Sequence, residues 1–255
     1  MIAASAALVA TVGLCVESAN IVGYLQSDKG QGVDMGSAAF DSVGGAAVNV
    51  QDIIPIVGAG EELYTGGFNI MTMTDGGETD ETYSYYTAGD APDGVAGWFD
   101  GNGTRVTKTF LPGEGFVTVS DYETGKLQTS GQVAEGVTIF TLGTGVNTCG
   151  NTTSAAVSIE DFTVGVGVDA EGNILTVNPD NSEELYTGGL VIMTLTDGGE
   201  TDQSYSYYTA GDAPDGVAGW FDGDGVRVTV SFPAGTGFIV VSDYTEGCIA
   251  LPSAL

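Results

Sequence analysis

Apolar and polar positions alternate in short runs along this chain. Over residues 46–53, Ala47, Asn49 and Gln51 fall on one side, and Val48, Val50 and Asp52 on the other. A period of two is the signature of a strand, whose successive side chains point to opposite faces. A weaker echo of this run occupies residues 155–162. Upstream, residues 20–26 read as a first strand, followed by a Gly- and Asp-rich loop to Met35. Downstream, strands are predicted at 68–74, 82–87, 98–99, 105–110 and 116–120, with matching strands in the second half of the chain. No long stretch has helical periodicity, and the 41 glycines fit many tight turns. The pattern is that of an all-β protein.

The matching strands come from a duplication. Residues 61–122 return as 183–244 with 48 identities in 62 positions, and 83–101 reappears unchanged as 205–223. A repeat this close means two copies of one domain. Short strands with frequent turns predict two tandem β-sandwich or small β-barrel-like domains. The expected division is 1–18 as a signal-like apolar segment, 19–130 as the first domain and 131–255 as the second. The second copy carries an insertion at 164–177, with Asp169-Ala170-Glu171-Gly172 between apolar runs, which predicts an extra hairpin.

Charge narrows the function. The chain has 34 acidic residues against five basic ones (Lys29, Arg105, Lys108, Lys126 and Arg227), a net charge of −29. Nothing could neutralise nucleic-acid phosphates or sit on an anionic membrane surface. A solvated acidic surface is the plainer reading, and divalent-cation sites are the alternative. Histidine is absent, which removes His-based acid–base work, Ser-His and Cys-His nucleophile pairs and His metal ligands.

Two motifs are candidate cation sites. Asp75, Glu78 and Asp80 place three carboxylates within six residues, as do Asp197, Glu200 and Asp202. Calcium takes oxygen ligands from such groups, so Ca2+ is the candidate ion, although no cofactor is required. Asp100-Gly101-Asn102-Gly103 and Asp222-Gly223-Asp224-Gly225 resemble pieces of calcium loops. Their place between two strands also fits a hairpin turn, and neither has the closing Glu of an EF-hand. Asp100, Asp222 and Asp224 join the candidate ligands on the first reading. No pair of carboxylates stands out for glycoside hydrolysis, and an enzyme is not expected. Trp98 and Trp220 occur once per repeat. Aromatics on a strand are core, or else a sugar-stacking platform or subunit interface. Asn102 and Asn151 match the glycosylation sequon.

Residues 2–16 form an apolar run too short to span a bilayer comfortably. It fits a secretory h-region, with small residues Val16 and Ser18 at a cleavage site and no basic residues before it. Retained instead, it would put Leu8, Val12, Leu14 and Val16 on one strand face, suited to complete a neighbour's sheet. With Cys15 removed by export, Cys149 and Cys248 are left to pair. Such a disulfide would close a loop of ~100 residues, worth roughly 4–5 kcal/mol in the chain-entropy model.

The segment Ser18-Ala19-Asn20-Ile21-Val22-Gly23-Tyr24 resembles the mature start of a group of secreted β-rich bacterial surface proteins. Leu111-Pro112-Gly113-Glu114-Gly115-Phe116 and Pro233-Ala234-Gly235-Thr236-Gly237-Phe238 resemble that group's Pro-Gly-x-Gly-Phe element. The resemblance implies export and β architecture, and carries no catalytic residues. The expectation is a structural subunit of an extracellular filament or surface layer, self-associating into a homopolymer by strand addition. Interface candidates are Leu8, Val12, Leu14 and Val16, with Val191, Val226 and Val230, where the second copy is more apolar than Asn69, Thr104 and Lys108 of the first. The alternative is a secreted adhesin or carbohydrate-binding module that holds glycans with Trp98, Trp220 and cation-binding acidic loops.

Overall fold

The computed structural model describes residues 22–40, 47–132 and 136–252. They form an all-β fold in which one plan of ten strands appears twice. The first repeat comprises β1 (Val22–Asp28), β2 (Gly32–Ser37), β3 (Val48–Asn49), β4 (Ile54–Ile56), β5 (Phe68–Met73), β6 (Thr79–Tyr86), β7 (Gly97–Phe99), β8 (Thr109–Phe110), β9 (Gly115–Ser120) and β10 (Lys126–Gln132). The second comprises β11 (Thr138–Leu142), β12 (Gly145–Gly150), β13 (Val157–Ser158), β14 (Thr163–Gly165), β15 (Leu190–Leu195), β16 (Thr201–Tyr208), β17 (Gly219–Phe221), β18 (Ser231–Phe232), β19 (Gly237–Ser242) and β20 (Gly247–Leu251).

In the first repeat a five-stranded sheet runs β2-β9-β5-β6-β7, a three-stranded sheet β1-β10-β4, and β3 pairs with β8. The second repeat has the same orders: β12-β19-β15-β16-β17, β11-β20-β14 and β13-β18. The duplication therefore extends past the 62 residues in which the sequence shows it.

Each repeat wraps its sheets around its own core. In β5, Phe68, Ile70 and Thr72 are buried while Asn69, Met71 and Met73 are half-buried, as alternation requires. The inner residues join Val48, Trp98, Phe110, Phe116 and Leu127 in the first core. Leu190, Ile192, Trp220, Phe232, Phe238 and Ile249 are among their counterparts in the second. A buried tyrosine ties sheet to loop in each. The Tyr122 hydroxyl accepts the Tyr64 backbone N–H at 2.9 Å, and Tyr244 accepts that of Tyr186 at 2.8 Å. Each hydroxyl lies against a glycine: a β-carbon on Gly67 would come within 2.3 Å of the Tyr122 oxygen.

Several sequence expectations need correction. Residues 46–53 and 155–162 are not continuous strands. After two strand residues the chain turns into a single 3-10 turn, Val50–Asp52 or Ile159–Asp161, capped by the Asn49 or Ser158 side chain. Such caps offer the backbone an alternative to the ladder. The supposed loop to Met35 is strand β2, because its ladder partner β9 outweighs the low strand propensity of Gly32, Asp34 and Gly36. In the run 105–110 only Thr109 and Phe110 form a strand, and Arg105 makes a lone bridge to Phe99. The extra hairpin is present: Val168 bridges Ile174, and the hairpin bonds back after β14 through Val166 N–H to Leu175 O at 2.8 Å.

Replacing Tyr122 by Phe keeps the ring and removes the acceptor of the Tyr64 N–H. Loss of roughly 1–3 kcal/mol of stability is expected, measured by urea unfolding.

Candidate functional site: the junction between the repeats

The outer faces of the two five-stranded sheets do not face water; they pack on each other. Met35 and Val117 of the first repeat and Ile239 of the second are buried at the centre. Around them lie Val33, Met71 and Met73 on one side and Val146, Met193, Leu195 and Val241 on the other. Burying each central side chain is worth roughly 1.5–3 kcal/mol.

The backbones also meet. The Val33 N–H donates to the Asp197 carbonyl and the Val146 N–H to the Asp75 carbonyl, both at 2.7 Å. This approach needs glycine. Gly145 sits at φ +100°, and a β-carbon there would lie 2.5 Å from the Asp75 carbonyl oxygen. Gly115 and Gly237, of the Pro-Gly-x-Gly-Phe-like elements, have no room for a side chain because the opposite backbone is against them: their β-carbons would lie 2.6 Å from the Cys149 oxygen and 2.4 Å from the Gly36 oxygen.

The acidic loops therefore have a structural task. Each closes on itself, with Thr74 N–H to Glu78 O and Gly77 N–H to Thr74 O at 2.8 Å, and with the same bonds at Thr196, Glu200 and Gly199. Their backbone docks across the junction. The carboxylates of Asp75, Glu78, Asp80, Asp197, Glu200 and Asp202 point into solvent. Among the described residues no three Asp, Glu or Cys side chains converge as a metal site. Asp100 and Asp222 serve hairpin turns. Asp100 Oδ1 accepts the Asn102 and Thr104 N–H groups at 2.9 and 2.8 Å, and Asp222 Oδ1 those of Asp224 and Val226 at 3.0 and 2.8 Å. These bonds hold the Asp100 carboxyl below its ordinary pKa, the Thr104 N–H most of all.

The other predicted residues are dispersed. Trp98 and Trp220 are buried in the two cores, so neither offers a face to a sugar, and the platform reading is corrected. Trp98 Nε1 donates to the Ile53 carbonyl at 2.7 Å, whereas Trp220 Nε1 finds no acceptor among the described residues. Cys149 and Cys248 are buried free thiols, which corrects the disulfide. Cys149 lies opposite Phe238 in one sheet and Cys248 opposite Thr141 and Gly165 in another. Burial pushes the Cys149 thiol up to about 12. The Asn151 amide is buried, donating to Ala155 and Phe232 carbonyls, and is closed to glycosylation. Val191 is half-buried on the strand face shared with Met193. Val226 is exposed at a hairpin turn, and Val230 packs against the second core rather than outward. Leu8, Val12, Leu14 and Val16 lie outside the described residues.

A cleft of about 440 Å³ opens beside the junction. Met73, Asp75, Leu111, Pro112 and Glu114 of the first repeat line one wall, and residues 139–142 and 146–149 of the second line the other. Strand β11 runs along it as the edge of its sheet. Most other edges are blocked. β4 carries Pro55, the extra hairpin covers β14, β2 and β12 meet the acidic loops, and Arg105 and Arg227 bridge β7 and β17. The two-residue pairs are too short to template a strand. Among the described residues this leaves β1, with exposed Tyr24, Gln26 and Asp28, and β11, with Ile139 and Phe140 half-buried. Phe140 lies over Gly113 of the first repeat, where a β-carbon would strike its ring. Sequence reading missed this edge because residues 138–142 follow the repeated block and have no near-identical copy upstream.

Gly145→Ala should lower stability by about 2–3 kcal/mol through backbone strain and loss of the Asp75 contact. Gly76→Ala, whose β-carbon would meet only Thr74 Oγ1 at 3.7 Å, should be near neutral by thermal unfolding. A pH effect follows from the arginine forks. The Arg105 and Arg227 guanidinium groups hold Asp93 and Asp215 at about 2, below their ordinary 3.8. A depressed carboxyl stabilises fully above its unfolded pKa and less as pH falls through its folded one. The urea midpoint should therefore drop from about pH 4 toward pH 2, and the double substitution Asp93→Asn, Asp215→Asn should flatten that slope.

Comparison with protein-family models, curated proteins and solved structures returns no match for this chain.

Proposed function

We propose that the protein is a secreted structural subunit of an extracellular filament or surface layer, joined to its neighbours by β-strand addition. The observation that carries this reading is the apolar edge of β11 in the cleft between the repeats, which pairs only with β20 among the described residues. An unpaired edge offers a row of backbone donors and acceptors, and natural folds otherwise cover or charge such edges. The incoming strand gains main-chain hydrogen bonds from β11. It also gains apolar contact with Ile139, Leu111 and Met73, which line the cleft.

The donor in this reading is the apolar run 2–16 of a neighbouring copy, with Leu8, Val12, Leu14 and Val16 on its buried face. β1, the counterpart of β11, has a polar edge, so β11 is the one apolar acceptor edge among the described residues. The contact is then heterologous and propagates head to tail. With a net charge of −29, neighbouring subunits repel, and divalent cations screen that repulsion.

Ile139→Lys puts a charge on the acceptor edge without touching either core. Negative-stain microscopy should show polymers of the parent chain and single subunits of the variant, at an unchanged melting temperature. Polymers formed equally well by Ile139→Lys, or none formed by the parent, would sink the proposal.

A further inference from the structure

We infer that the junction is a self-complementary interface that can also close between two copies of the chain, the first repeat of one seating on the second repeat of the other. The observation is its reciprocity. Val33 N–H reaches the Asp197 carbonyl and Val146 N–H the Asp75 carbonyl, at the same 2.7 Å. Gly199 abuts Val33 as Gly77 abuts Val146. Gly36 bridges Thr236 as Glu114 bridges Cys149.

Each contact is thus made twice, by matched positions of the two repeats. An interface in which one residue meets a second and the second's counterpart meets the first's is isologous, the arrangement of a two-fold homodimer. Here it lies within one chain. The covalent link between the halves is only the short connection from Gln132 to Thr138. Nothing in the contacts themselves distinguishes a repeat of the same chain from the matching repeat of another.

The partner that fits this surface is therefore a second copy with its repeats exchanged. A closed pair of chains satisfies both junctions, and a chain that engages a different neighbour with each repeat continues as an open series. Closure within one chain is favoured by the high effective concentration across a short connection. Exchange is expected when chains fold together at high concentration. It uses the covered sheet faces and does not depend on the β11 edge or on residues 2–16.

The test uses full-length chains carrying Cys15→Ser. A β-carbon at Gly77 would lie 4.0 Å from that of Val146, within the roughly 3.5–4.5 Å that a disulfide spans. Gly77→Cys and Val146→Cys are placed in separate chains, unfolded together, refolded at high concentration under reductant and then oxidised. A disulfide-linked heterodimer is expected, several-fold above that given by the same chains folded apart and then mixed. It should also exceed the control pair Gly101→Cys with Val146→Cys, since Gly101 has no neighbour within 4 Å. The pair Val33→Cys and Gly199→Cys, β-carbons 3.7 Å apart, repeats the measurement at the twin contact. Heterodimer no higher than the control at both contacts would overturn the inference. Should the cysteine chains not fold, light scattering of the Ile139→Lys chain, whose β11 edge no longer accepts a strand, decides. A dimer with native circular dichroism after refolding at rising concentration supports exchange, and a monomer throughout refutes it.

Discussion

The close approach of two sheet backbones governs this molecule. At Gly115 and Gly237 the opposite main chain lies where a side chain would begin, so the five-stranded sheets meet with almost nothing between them at that point. Much else follows from that contact. The outer faces of β2, β5, β9, β12, β15 and β19 must be apolar, and Met35, Val117 and Ile239 fill the space where the backbones diverge. The acidic loops must be rigid, since their carbonyls complete the ladder of the other repeat.

The charge is carried by a division of labour among the carboxylates. Some organise turns: Asp100 and Asp222 receive backbone N–H groups, and Glu61 receives those of Glu123 and Thr124. Others hold the five basic residues, each of which is in an ion pair. The forks of Arg105 and Arg227 on Asp93 and Asp215 also lie over Phe99 and Phe221 at 4.7 Å, fastening the edge of each five-stranded sheet. Lys29 is the buried exception. Its ammonium donates to the Met35 carbonyl at 2.7 Å and meets Asp34 at 3.2 Å, while burial lowers its pKa. Leu142 holds the matching place before β12 and belongs to the second core. Many of the other described acids are exposed, where their mutual repulsion opposes non-specific association.

The two repeats share a plan and differ at their borders. The second has a hairpin over β14 and an apolar β11; the first has Pro55 on β4 and a polar β1. These differences fall on sheet edges, where a strand either accepts a neighbour or refuses one. A duplicated domain whose halves bury matched faces and differ at their edges has direction, which a head-to-tail assembly requires.

The sequence by itself determined the all-β class, the duplication, the hairpin turns at Asp100 and Asp222, and the inserted hairpin. Each rests on local signals: periodicity, identity between copies and turn chemistry. It misread β2 as a loop, because glycine and aspartate disfavour strands in isolation and only the β9 ladder and the facing repeat make Gly32–Ser37 extended. It left Trp98 and Trp220 between core and surface, and paired Cys149 with Cys248, because alternation does not say which face is covered or which sheets lie near one another. In the acidic loops the side chains were legible and the work of the backbones was not. That their carbonyls join the two repeats is visible only in the fold, since the contacts pair residues 71 and 164 positions apart, beyond the reach of any local pattern: Val146 with Asp75, and Val33 with Asp197.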